Sequence, residues 1–316
     1  MIWVAVDAMG GDFAPQRVVE GALSAVRDFD LGVALVGPAD VVQAELTRCG
    51  VADAARVRIV DAPDVIQMDE SPSAALRRKP GSSIRVAANH VASGGASALF
   101  SAGHTGATVM AAHSVFGMLS GVDRPALAAT IPRPHRPAIL LDVGASVECR
   151  PAHLVQVAVM GSLYARLAFG IASPRVGLLS IGEEANKGNE LTREAHRLLK
   201  ASRLSFIGNV EARHVYSGEA DVIVCDGFTG NVALKVSEGL VEVLADFLTD
   251  DFRRHVDYSE YGGAPLLGLA GVAIVGHGRS SAKAVRNGVA MAYRFAHERV
   301  LDRLELDIAT AAVPLQ

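Results

Sequence analysis

Cys225-Asp226-Gly227-Phe228-Thr229-Gly230-Asn231 stands between an apolar run, Val222–Val224, and an amphipathic helical pattern. At such a strand-to-helix junction, backbone N–H groups and the positive end of the helix dipole face outward toward an anion. Four other stretches repeat the arrangement, each directly after a short apolar run: Asp7-Ala8-Met9-Gly10-Gly11-Asp12, Ser101-Ala102-Gly103-His104-Thr105-Gly106, Asp142-Val143-Gly144-Ala145-Ser146 and Gly182-Glu183-Glu184-Ala185-Asn186-Lys187-Gly188-Asn189-Glu190. Polar, glycine-bearing loops that follow strands imply one ligand site at the carboxyl edge of a sheet.

The strands themselves are read at Ile2–Val6, Val33–Val36, Val57–Val60, Ala98–Phe100, Ala138–Leu141, Val176–Leu179, Leu204–Ile207, Val222–Val224 and Val272–Val275. Most are continuously apolar rather than alternating, as in strands covered on both faces. Helical stripes lie between them. Val18, Val19, Ala22, Leu23 and Val26 form one, Leu154, Val155, Ala158, Val159 and Leu163 a second, and Val232, Val236, Leu240, Val243, Leu244 and Phe247 a third. Alternation of strand and helix predicts a largely parallel α/β sheet. No linker or repeat divides the chain, so residues 1–316 read as a single α/β domain. Asp61–Gly81 reads as an irregular insertion, and the connection near 247–258 as short.

Half of the 316 residues are hydrophobic, enough for a large core. A net charge of −4 and only 5% aromatic residues argue against a nucleic-acid partner. The three cysteines, Cys49, Cys149 and Cys225, are far apart and lack a C-x-x-C, which fits a reducing cytoplasm. No signal peptide and no unbroken apolar run of membrane-spanning length is seen.

Ten scattered histidines without H-E-x-x-H give no metal centre. No G-x-S-x-G elbow supports a serine nucleophile. Ser180 reads as structural and Cys225 as a small buried thiol. Gly276-His277-Gly278-Arg279-Ser280-Ser281 approaches a dinucleotide fingerprint, but no further strand with an acidic residue follows it, so a nicotinamide cofactor is the weaker reading. What remains is a site without cofactor, rich in glycine amides, carboxylates and one loop lysine, Lys187. Asn231 is read two ways, as a helix N-cap and as an amide donor to substrate. The carboxylates of Asp7, Asp12, Asp142 and Asp226 have the alternative of shaping their loops as Asx turns. Arg77-Arg78-Lys79 is either a solvated face or a docking patch for an acidic partner.

Taken together, the loops resemble a known family. Val6-Asp7-Ala8-Met9-Gly10-Gly11-Asp12, Ser101-Ala102-Gly103-His104-Thr105-Gly106-Ala107, Leu141-Asp142-Val143-Gly144-Ala145, Lys187-Gly188-Asn189-Glu190, Asn209-Val210-Glu211-Ala212-Arg213, Asp226-Gly227-Phe228-Thr229-Gly230-Asn231 and Tyr261-Gly262-Gly263-Ala264 are similar, in order, to the acyl-ACP:phosphate acyltransferases of bacterial phospholipid synthesis, PlsX. The resemblance implies transfer of a fatty acyl group from acyl carrier protein to inorganic phosphate, giving acyl phosphate for a glycerol-3-phosphate acyltransferase. It implies a Rossmann-like three-layer α/β/α fold of the isocitrate-dehydrogenase and phosphate-acetyltransferase type, a homodimer, and a cytoplasmic enzyme with peripheral membrane contact. His104 and Ser146 stand where the family pattern leads one to expect Asn. The shortened connection near 247–258 departs from the family's long helical hairpin and weakens the membrane expectation.

The expected chemistry needs no covalent intermediate, because phosphate is itself a nucleophile. The protein holds a dianion in line with a thioester and stabilises the tetrahedral oxyanion. Lys187 and Asn231 are the expected catalytic residues. Asp7, Gly10, Gly11, Asp12, Gly103, His104, Thr105, Gly106, Asp142, Gly144, Asn189, Asp226, Thr229 and Gly230 are the expected substrate and phosphate residues, and Arg77, Arg78 and Lys79 the expected carrier-docking set. The carboxylates are expected to orient loops or Lys187, since they repel phosphate. Two competing readings are a nicotinamide-dependent dehydrogenase and a non-catalytic binding partner of a lipid-synthesis assembly.

Overall fold

The apolar runs become strands, most of them buried on both faces. In order these are β1 (Ile2–Asp7), β2 (Leu31–Gly37), β3 (Val57–Asp61), β4 (Ala98–Ser101), β5 (Ala126–Ile131), β6 (Ala138–Leu141), β7 (Arg175–Ser180), β8 (Ser205–Glu211), β9 (Val222–Val224), β10 (Ala264–Leu267) and β11 (Val272–Val275). Every residue of β2, β4, β6, β9 and β11 is buried. The structure, a computed structural model, describes residues 1–51, 55–133, 135–244, 247, 249 and 257–311. The shortened connection expected near 247–258 falls mostly outside the described residues.

Contacts group the chain into two units, Met1–Gly117 with Tyr258–Leu301, and Met118–Asp257 with Asp302–Gln316. In the first unit the strands run in the order β3-β2-β1-β4-β11-β10. All neighbours are parallel except β10, which is antiparallel to β11. Helices α1 (Gln16–Asp28), α2 (Ala39–Arg48), α4 (Ser83–Ala92), α5 (Thr105–Phe116) and α9 (Ala282–His297) cover this sheet, and α3 (Pro72–Arg78) packs on α5. The stripe expected in the first helix is buried, with Val18, Val19, Ala22, Leu23 and Val26 all inside. The expected irregular insertion contains α3 and is closed by a parallel bridge between Asp64 and Ser82.

In the second unit the order is β5-β6-β9-β7-β8. Only β5 is antiparallel to its neighbour. Helices here are α6 (Pro151–Phe169), α7 (Glu190–Ala201), α8 (Gly227–Leu244) and the greater part of α10 (Val300–Ala311). Among the described residues α6 alone is long and apolar enough to cross a membrane. It packs on β6 and β9 so closely that a Cβ at Gly161 would meet Val222 and Leu141 at 2.6 and 2.9 Å, the position of a core helix.

Two expectations change. The stretch 225–231, read as a loop, is helical from Gly227 onward. Glycine disfavours helix, but here it permits contact: a Cβ on Gly230 would collide with the Asp142 carbonyl, and one on Gly227 would lie 2.7 Å from that of Ser146. The third stripe, an amphipathic helix face by its spacing, is left uncovered. In the isolated chain Val232, Val236, Leu240 and Val243 are exposed, and only Gly227 and Gly230 of α8 are buried.

Candidate active site

Because the strands carrying the loops are parallel within each unit, their carboxyl ends share an edge. In the first unit that edge holds the loops after β1, β4 and β11. Asp7 ends β1 only 3% exposed, and its carboxylate accepts from Ser101 Oγ at 2.7 Å and the Met9 amide at 3.2 Å. Ser101 Oγ in turn accepts from the Gly103 amide at 3.1 Å. A side chain at Gly10 would meet the Gly103 nitrogen at 2.7 Å, so the two loops touch through their backbones. The third loop joins them: the Asp12 amide donates to Gly278 O and the Gly276 amide to Ser101 O, each at 2.8 Å. Gly11 makes the turn at φ +107°, a conformation that favours glycine.

The opening turn of α5 faces a cleft bordered by Asp7, Gly10, Ser83, Gly103, His104 and Thr108. Thr105 and Gly106 form that turn, whose first amides have no intrahelical acceptor. His104 precedes it, with its carbonyl taking the Thr108 amide at 2.9 Å. Burial pushes the Asp7 carboxyl above its ordinary range, opposed by its bonds to Ser83, Ser101 and Met9. The folded state therefore holds that proton more tightly than the unfolded chain does. Stability is largest below the ordinary aspartate value of about 4 and is lost as pH rises through the folded value. Relative to Asp7→Asn, wild type should lose unfolding free energy across that rise in denaturant titrations. A constant or widening advantage for wild type would contradict this account of Asp7.

In the second unit β9 lies between β6 and β7, so the loops after these three strands leave one edge together. Asp142, 1% exposed, organises the loop after β6. Its carboxylate accepts from the amides of Leu127 at 2.9 Å, Gly144 at 3.1 Å, Ala145 at 2.9 Å and Ser146 at 2.6 Å. Burial raises this carboxyl too, while the four amides oppose the rise. Ser146 gives its hydroxyl to the Pro125 carbonyl at 2.9 Å. Gly144, at φ +135°, brings the loop against Asn231, whose Nδ2 donates to Val143 O at 3.0 Å. Asn231 is therefore not the N-cap of α8. Asp226 holds that place, accepting from the Thr229 amide at 2.8 Å and Thr229 Oγ1 at 2.7 Å. The helix starts five residues earlier than the cap reading of Asn231 requires, and Asn231 is free to turn its remaining N–H elsewhere.

The loop after β7 carries Lys187, exposed and without a hydrogen-bond or ion-pair partner among the described residues. Its backbone is held, with the Lys187 amide on Glu184 O at 2.9 Å. Asn189 is the N-cap of α7, accepting from the Thr192 amide at 2.9 Å. Cys225 is buried and its thiol is pushed well up by burial; Cys149 is pushed up to about 11 by the same cause. Both stay protonated at neutral pH and offer no ready thiolate. Among the described residues no cluster of His, Cys, Asp or Glu is arranged to hold a metal ion.

The basic triplet is not uniform. Lys79 is engaged, reaching Glu70 at 2.5 Å and Val65 O at 2.7 Å, and Arg78 lies 3.4 Å from Glu70 with its side chain 68% exposed. Arg77 is exposed. Sequence reasoning missed Ser101 and Ser83 as partners of Asp7, and set aside the Gly276–Ser281 loop because its glycines suggested only a dinucleotide. That loop's position directly after an apolar run, as in the other loops, was the available signal.

The family model for a fatty acid synthesis protein matches residues 2–303. The phosphate acyltransferase of Nitratidesulfovibrio vulgaris (strain DP4) is 48% identical over 322 residues, covering 95% of this chain and 93% of its own. That of Pelotomaculum thermopropionicum is 45% identical, covering 98% and 96%. Among solved structures, a phosphotransacetylase from Streptococcus pyogenes matches with a TM-score of 0.69 at 18% identity, over 94% of both chains. A 4-hydroxythreonine-4-phosphate dehydrogenase from Klebsiella pneumoniae matches with a TM-score of 0.56 at 15% identity, over 93% of this chain and 99% of its own. At these identities the structural matches speak to the fold alone. They agree with a Rossmann-like three-layer α/β/α arrangement built on mostly parallel strands.

Proposed function

We propose that this chain, which belongs to the phosphate acyltransferase family of fatty acid synthesis proteins, moves a fatty acyl group from acyl carrier protein to inorganic phosphate. A phosphate oxygen attacks the thioester carbonyl, the tetrahedral intermediate collapses, the C–S bond breaks, and the carrier thiolate leaves and takes up a proton. The products are acyl phosphate and free carrier.

The observation that carries this reading is the exposed, unpartnered Lys187 on a fixed loop, at the same sheet edge as Asn231. Lys187 supplies positive charge to phosphate and the developing oxyanion, and Asn231 supplies an N–H. Holding the reactants in line supplies much of the remaining rate. Asp7, Asp142 and Asp226 act on the loops, as their hydrogen bonds within them indicate. With both site thiols held protonated, direct attack by phosphate is favoured over an acyl-thiol intermediate. Trapping with hydroxylamine checks the product. Acyl hydroxamate should accumulate only when phosphate and acyl carrier protein are both present, and its absence would remove acyl phosphate from the scheme.

The carrier is acidic in this reading and meets the exposed guanidiniums of Arg77 and Arg78, with Lys79 serving as a clasp on Glu70. Arg77→Glu with Arg78→Glu should raise KM for the acylated carrier and flatten its dependence on salt, because exposed charges are screened over about 10 Å at 0.1 M. Unchanged carrier kinetics across a salt titration would return both to ordinary surface. A homodimer covers the apolar stripe of α8. Wild type should scatter as twice the 33.0 kDa chain, and Val236→Asp with Leu240→Asp should shift it to monomer. A monomeric wild type would leave the stripe unexplained by self-association. The enzyme is placed in the cytoplasm with weak peripheral membrane contact, supplying acyl phosphate to a glycerol-3-phosphate acyltransferase.

A further inference from the structure

We infer that Asn209, oriented by His196, is a positioning residue for the loop that presents Lys187. The inference rests on the catalytic reading of Lys187 given above. Asn209 on β8 and His196 on α7 are 6% and 9% exposed, and neither belongs to a loop at the sheet edge. Asn209 Nδ2 donates to the carbonyl of Glu184 at 2.9 Å. The same oxygen accepts the Lys187 amide at 2.9 Å. The two lone pairs of that carbonyl are thus both engaged, one by the buried asparagine and one by the backbone of the lysine itself.

The orientation of the amide follows from donor and acceptor logic. A carbonyl only accepts, so Asn209 turns its NH2 group to Glu184 and its Oδ1 to His196 Nδ1, 2.9 Å away. That ring nitrogen must then carry a proton. Both the Nδ1–H neutral ring and the imidazolium satisfy this, so the relay does not depend on the charge of His196. The ring is itself held edge-on against Phe206, with centroids 5.1 Å apart at 77°.

The other side of Lys187 is pinned independently. Arg193 Nη1 donates to Gly188 O at 2.6 Å, and Asn189 caps α7. Lys187 therefore lies between two anchored carbonyls, those of Glu184 and Gly188, while its side chain extends into solvent. A flexible lysine on an unanchored loop would spread its ammonium over many positions. A displacement of about 1 Å is enough to cost roughly 10²-fold in rate.

The test is a double-mutant cycle on phosphate-dependent acyl transfer with Asn209→Ala, Lys187→Ala and both together. Asn209→Ala should lower kcat by about 10- to 100-fold, leave KM for the acylated carrier unchanged, and speed hydrogen exchange at the Lys187 amide. In the Lys187→Ala background it should cost less than about twofold, because its effect passes through the lysine. Equal losses in both backgrounds would overturn the proposal, as would normal turnover of Asn209→Ala beside an inactive Lys187→Ala. An active Lys187→Ala would instead overturn the reading beneath it. Should Asn209→Ala fail to fold, His196→Gln, which keeps a donor toward Asn209, should retain turnover that His196→Leu loses. Equal kcat values for those two variants would overturn the relay.

Discussion

Lys187→Ala should lower phosphate-dependent turnover by roughly 10²–10³-fold, the loss associated with removing one donor from an oxyanion site, and leave the melting temperature unchanged. Stability is spared because the side chain is exposed and makes no hydrogen bond or ion pair among the described residues. Its backbone bond to Glu184 survives the substitution. Lys187→Arg should recover only part of the rate, since the planar guanidinium presents its donors in a different geometry from an ammonium. Turnover of Lys187→Ala within a few-fold of wild type, at matched stability, would remove the lysine from the mechanism.

Asn231→Ala should also lose about 10²-fold in turnover, but with a measurable cost in stability. The amide holds Val143 O at 3.0 Å, and a single such bond contributes about 1 kcal/mol. Without it the loop after β6 keeps the four bonds to Asp142 and so retains most of its shape. Kinetics of the folded fraction separate the two effects. A variant that is less stable yet turns over normally once folded would assign Asn231 to loop packing alone.

Residues that state their environment locally were legible in the sequence. Continuous apolar runs such as Ala98–Phe100 and Val222–Val224 carried the signature of strands buried on both faces, and the polar, glycine-bearing loop after each marked the carboxyl edge. The strands that escaped notice are the antiparallel ones. Ala126–Ile131 is alanine-rich, a residue depleted in strands, and Ala264–Leu267 contains Pro265. The helical character of Gly227–Asn231 was hidden because its glycines answer to the backbone of Asp142 and Ser146, far away in sequence. Pairings of the same kind, Ser101 with Asp7 and Asn209 with the Glu184 carbonyl, depend on strand order and have no local signature. Lys187 and Asn231 were singled out by loop chemistry, whereas the supports beneath them required coordinates.

Release of free carrier thiol from a long-chain acyl carrier protein, followed at a series of phosphate concentrations, tests the central claim most directly. Release should be negligible without phosphate, saturate as phosphate is added, and match acyl phosphate formed one for one. Thiol release that proceeds equally without phosphate, or no release at any phosphate concentration, would contradict it.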